Sequence, residues 1–233
     1  MILRLVIADG SQSPAVAESV EVSDDGVLTG WRSVSDGGVG WFAGQLPAGE
    51  LAEIQALVGA VGAPPLDPPP PEAAEEVLEL TATGPVAIAG ITDGSGDWPS
   101  LATASRRLLD RLTDFPRAAV TVCYAAPSVA RLVHRGTDPV RVGLGAVAVR
   151  ATAWRGYYEP AGDWSGVVAG PAEVEARPGW TYDIAVGPEA DGLGVDDDVI
   201  VHLAADFAIL SGSARVPVRA KYTPAIAPPD ALR

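Results

Sequence analysis

Residues 199–222 read VIVHLAADFAILSGSARVPVRAKY, and this stretch decides the fold of the C-terminal half of the chain. Val199, Val201, Leu203, Ala205, Phe207 and Ile209 recur at every second position, the period of a strand with one buried face. After Gly212-Ser213, Val216, Val218, Ala220 and Tyr222 make a matching face, and the dipeptide fits a two-residue turn of type II′. The turn predicts the register. Phe207 falls opposite Val218 and Ile209 opposite Val216 on the core side, with Asp206 opposite Arg219 on the other. Pro217 cannot donate to a ladder, so it should lie on an edge or face solvent, where Arg215, Arg219 and Lys221 discourage edge pairing.

From Ser128 to this hairpin there is no helical stripe, only short alternating segments separated by Gly, Pro and Asp. That pattern predicts an all-β, sandwich-like domain over 126–224, followed by a frayed tail at 225–233. Residues 1–125 read differently. Ile2–Ala8, Val16–Ser23, Val27–Val34 and Val39–Ala43 read as strands, with turns at Ser23–Val27 and Gly37-Gly38. Leu51, Ile54, Leu57, Val58 and Val61 mark a first helix, entered at Pro47 and left at Gly62. Val77–Thr83 and Pro85–Ile91 read as strands, Pro99–Thr113 as an amphipathic helix striped by Leu101, Ala104, Leu108, Leu109 and Leu112, and Ala118–Tyr124 as a central strand. The expected fold class is therefore α+β: an antiparallel or mixed sheet with two helices, then the sandwich. Pro64–Pro71, PPLDPPPP, lies in a spacer at 62–72, which is either a linker or a surface loop within the first domain.

Composition narrows the function classes. A formal charge of −14 disfavours nucleic acid and anionic membrane surfaces, which require a basic surplus. No apolar run reaches the ~18 residues of a membrane helix. Ile2–Ala8 is too short, and lacks the basic lead, for a secretory signal. The lone Cys123 fits a reducing compartment and reads as a small buried hydrophobe, with no basic residue beside it in sequence. These features together point to the cytoplasm.

Catalytic residues do not assemble in the sequence. His134 and His202 come without partners. Four residues of strand at ~3.4 Å each put His202 and Asp206 about 13 Å apart, beyond a hydrogen bond. Carboxylate pairs such as Asp93 with Asp97, or Glu159 with Asp163, would need a cleft to do acid–base work. Asp93-Gly-Ser-Gly-Asp97 carries oxygen ligands at alternate positions, but Trp98 and Ala104 stand where a calcium loop needs glycine and glutamate. Asp196 and Asp198 in the 191–198 loop are the second calcium candidates, against an ordinary solvated loop.

The compositional anomaly is aromatic. Trp154, Tyr157, Tyr158, Trp164, Trp180 and Tyr182 cluster in a chain with 6 Trp, 5 Tyr and 3 Phe. The tryptophans read first as sandwich core. Adjacent Tyr157 and Tyr158 point to opposite faces, which makes 156–163 the expected binding surface. The leading expectation is a non-catalytic structural or adaptor protein that binds another protein through Trp154, Tyr157, Tyr158 and Trp164. An acidic inhibitor or immunity-type protein facing a basic partner is the first alternative. A carbohydrate- or calcium-binding sandwich module, with calcium at Asp93, Asp97, Asp196 or Asp198, is the second. No other cofactor is expected.

Overall fold

The structure is a computed structural model that describes residues 1–63, 75–88, 97–126, 129–155, 159–185 and 199–224. The proline run 64–71 and the tail 225–233 lie outside them. In chain order the elements are β1 (Leu3–Asp9), β2 (Val16–Val22), β3 (Val27–Arg32), β4 (Val34–Ser35), β5 (Val39–Gln45), α1 (Ala48–Ala60), β6 (Glu76–Leu80), β7 (Gly84–Ala87) and α2 (Trp98–Leu112). Then come β8 (Pro116–Ala126), β9 (Val129–His134), β10 (Val140–Arg155), β11 (Glu159–Val168), β12 (Val174–Ala176), β13 (Thr181–Ala185), β14 (Val199–Ser211) and β15 (Ala214–Tyr222). The chain is mostly strand. Among the described residues no helix is long and apolar enough to cross a membrane.

The chain forms two compact units, the first of residues 1–34, 39–119 and 136–138, the second of 35–38, 120–135 and 139–233. The path crosses between them several times, once within β8.

In the first unit the strands lie in the order β5-β3-β2-β1-β6-β7, with antiparallel neighbours throughout. Alternation fills one face of this sheet with Leu3, Leu5, Val20, Val22, Leu28, Phe42, Leu78 and Leu80, all essentially without solvent contact. Against them pack Leu101, Leu108, Leu109 and Leu112 of α2 and Ile54 of α1, so both helices share one core. Burial of each such leucine contributes roughly 2–3 kcal/mol. Trp98 opens α2 in the core and donates its indole N–H to the Ala63 carbonyl at 3.3 Å. Pro99 suits the first turn, and Ser105, buried inside the helix, is satisfied by donating to the Leu101 carbonyl at 2.7 Å. Arg32 ties strand to helix: its Nε donates to Glu18 Oε1 at 3.1 Å and its Nη1 to the Leu109 carbonyl at 3.1 Å. The latter contact supplies one of the donors that the end of α2 needs. Gly26, at φ +82°, makes the turn between β2 and β3. β6 stops at Leu80, with Ala82 exposed in the turn before Gly84 at φ +74°, so the expected strand to Thr83 is three residues too long at its C-terminal end.

In the second unit, β10 pairs with β11, β12 and β14, and β14 with β15, all antiparallel. The residues of β8 from Val120 pair with β9, and β9 with β13. The register of the β14–β15 hairpin is the one the alternation requires: Phe207↔Val218, Ile209↔Val216 and Asp206↔Arg219. Gly212 takes φ +58° at the turn, and Pro217 is exposed opposite Ala208. Val149, Ala151, Ala153, Leu203, Ala205, Phe207, Val218 and Ala220 make the buried face.

Candidate binding surfaces

The aromatic residues do not form one cluster. On β10, Ala151 and Ala153 are buried, so Thr152 and Trp154 take the opposite, outer face. Trp164 pairs with Ala151 and therefore joins the inner face, where its indole lies against Gly166: a Cβ on that glycine would stand 2.6 Å from the ring. Trp154 and Trp164 thus stand on opposite sides of the sheet. Both are half-buried, as is Trp180, so the expectation that these tryptophans form a core is corrected. Around Trp164 the strands offer Ala151, Gly162 and Gly166, too small to enclose an indole. Trp180 instead stacks on Tyr182, with ring centroids 6.0 Å apart and planes at 6°. Tyr157 and Tyr158 lie outside the described residues.

Of the carboxylates proposed for calcium, Asp93, Asp196 and Asp198 also lie outside. Asp97 is exposed at the N-cap of α2 and makes no capping hydrogen bond through its side chain. Among the described residues no group of three His, Cys, Asp or Glu side chains could hold a metal ion. His134 is buried in β9 at 1% exposure, whereas His202 is half-buried on the outer face of β14. Cys123 is half-buried, less enclosed than expected, and β-pairing sets Arg131 directly across from it. Arg131 is held in turn by Asp183 on β13, Nε to Oδ1 at 2.6 Å and Nη2 to Oδ2 at 2.8 Å. That two-point contact keeps Asp183 below the ordinary aspartate range and raises Arg131. Burial raises the Tyr124 phenol.

Two surfaces stand out that sequence patterning does not single out. The first is the open face of the first unit's sheet, opposite the helices. Strand register places Val77, Val6, Ser19, Trp31 and Trp41 in one row across β6, β1, β2, β3 and β5. Trp31 and Trp41 face each other directly, ring centroids 5.2 Å apart and planes tilted by 59°, and Trp41 is 49% exposed. The next row carries Glu79, Arg4 and Glu21, with Arg4 paired to Glu79 at 3.4 Å.

The chain matches no protein-family model, and no curated protein resembles it significantly.

The second surface is the outer face of β10, β14 and β15 in the second unit. One row runs Arg150–Ala204–Lys221, the next Ala148–Asp206–Arg219, and Thr152 stands opposite His202. Asp206 and Arg219 are locked in a two-point pair that raises the Arg219 guanidinium further. Beside them an open depression of about 240 Å³ is lined by Arg150, Thr152, His202, Lys221 and Thr223. The signal lies in the spacing: Ala204 and Lys221 already oppose each other in the hairpin register, and only the β10 partner is not legible from the sequence.

Proposed function

We propose that the chain is a non-catalytic protein-binding module and that the open sheet face around Trp31 and Trp41 is its contact surface. The observation that carries this reading is the exposed Trp41 seated on Trp31. An indole left half in water costs solvation that a partner's apolar surface recovers, and tryptophan loses little entropy on binding. Arg4, Glu79 and Glu21 in the neighbouring row supply the polar rim of such a contact. At a net charge of −14 the chain attracts a partner whose own rim is basic, which speeds encounter. The setting we infer is cytoplasmic, which a single half-buried cysteine suits.

The test is capture from the source cell with the wild-type chain, Trp41→Ala and Gln55→Ala, the last on the exposed side of α1. One protein should be retained in stoichiometric amount by the wild type and Gln55→Ala and lost with Trp41→Ala, while Trp41→Ala melts within about 1 kcal/mol of wild type. Retention unaffected by Trp41→Ala, or no retention at all, refutes the reading.

A further inference from the structure

We infer that the depression on the outer face of the second unit's sheet is a binding site for a tetrahedral oxyanion of the phosphate type, free or as a monoester. The inference is independent of the contact surface proposed above.

The argument starts from register. Arg150, Ala204 and Lys221 lie in one row on three adjacent strands. Strands ~4.8 Å apart put the two cationic residues about 10 Å apart at their Cα atoms. The methyl of Ala204 between them is too short to fill the gap, and two long side chains can close over it. Thr152 and His202, opposite each other on the same face, bring a hydroxyl and an imidazole to one end of the depression.

Charge favours an anion there. Lys221 is the only lysine of the sequence, and among the described residues it has no carboxylate partner. Arg150 approaches Asp206 only at 3.7 Å, and that carboxylate already takes two hydrogen bonds from Arg219, at 2.6 and 2.9 Å. Two further carboxylates stand nearby. Asp163 is one strand out, opposite Thr152, and Asp36 accepts the Thr223 hydroxyl at 3.3 Å. Lys221 is therefore the cation of this face that has no carboxylate within 4 Å among the described residues, while Arg150 shares Asp206 with Arg219.

The number and placement of donors select the anion. A planar carboxylate is satisfied by the guanidinium fork of Arg150 alone. Donors from β14 and β15 are surplus to it, whereas a tetrahedral anion has oxygens directed at all three strands. Arg supplies the fork and Lys a point charge, the two modes in which phosphate is commonly held.

The experiment is a backbone-amide NMR titration of the ¹⁵N-labelled chain with inorganic phosphate, O-phosphoserine and acetate, each at matched ionic strength in sodium chloride. Saturable shifts should gather at residues 150, 152, 202, 204, 221 and 223 with both phosphates and be several-fold weaker with acetate. Tighter binding of phosphoserine identifies a monoester as the natural occupant, and equal binding identifies free phosphate. Lys221→Ala should weaken binding at least about tenfold, and Lys221→Arg should retain it. The inference is overturned by the absence of a saturable shift, by equal response to acetate, or by a Lys221→Ala chain that titrates like wild type. Both lysine variants change an exposed side chain, and a retained amide spectrum establishes that they fold.

Discussion

Asp206 and Arg219 face each other across the β14–β15 hairpin and are joined at two points, Nε to Oδ1 at 2.6 Å and Nη2 to Oδ2 at 2.9 Å. The side chains are only 22% and 12% exposed, so each ion lies where the other is its main compensation. Replacing one partner, as in Asp206→Asn, should cost roughly 1–3 kcal/mol in chemical denaturation. Changing both to threonine leaves a compatible cross-strand pair and should cost less than the sum of the single changes. Strictly additive losses would show that the pair is not coupled.

Gly30 lies under α2. A methyl group at that position would collide with the Ser19 carbonyl oxygen and with Leu112. Gly30→Ala should therefore destabilise the first unit by about 1–3 kcal/mol, because neither a paired strand nor a core leucine can give way cheaply. Gly59→Ala is the matched contrast. Within α1 its added carbon meets nothing within 4 Å, so the helix should gain about 0.5–1 kcal/mol, read as a higher melting temperature.

At Gly212 the limit is the backbone. Its φ of +58° is left-handed and a Cβ there would meet open space, so any cost of substitution is conformational. Gly212→Asn should be nearly neutral, whereas Gly212→Val should cost about 1–2 kcal/mol and speed amide exchange at the hairpin tip.

The Arg131–Asp183 pair makes a pH prediction. Arg131 holds the Asp183 carboxylate below the ordinary aspartate range, so ionisation is favoured by the folded chain. The resulting stabilisation is present above the unfolded aspartate pKa and disappears as pH falls through the lowered folded value. Asp183→Asn should be less stable than wild type at neutral pH, and the two curves should converge in acid. Both side chains are about half exposed, so the difference should be small and should shrink with added salt. A gap that persists unchanged into acid would assign it to packing instead of charge.

Legibility in the sequence followed the range of the interactions. The β14–β15 register could be read because a two-residue turn and an uninterrupted alternation leave one pairing that buries Phe207 and Ile209 together. The α2 stripe could be read because its periodicity is local. Relationships spanning separate hairpins could not. Cys123 has no basic neighbour in sequence, yet Arg131 is its cross-strand partner. Trp154 and Trp164 looked like one cluster in sequence, but the pairing of Trp164 with Ala151 sends them to opposite faces, and the register shifts at Ala153/Trp154. Arg150 belongs with Lys221 only once β10 is known to lie beside β14. The row from Val77 to Trp41 likewise needs five strands in register before its apolar character is visible.

A chain with 15 arginines and one lysine has a consequence for chemistry done on it. The ε-amine of Lys221 is the single side-chain primary amine, and it lies exposed at the depression beside Arg150. Lys221 is therefore the one side-chain amine that an acylating reagent can meet. An acetyl group or dye placed there in the unmutated protein is told apart from one on the α-amine of Met1 by peptide mass, and its reaction rate gauges what occupies that spot.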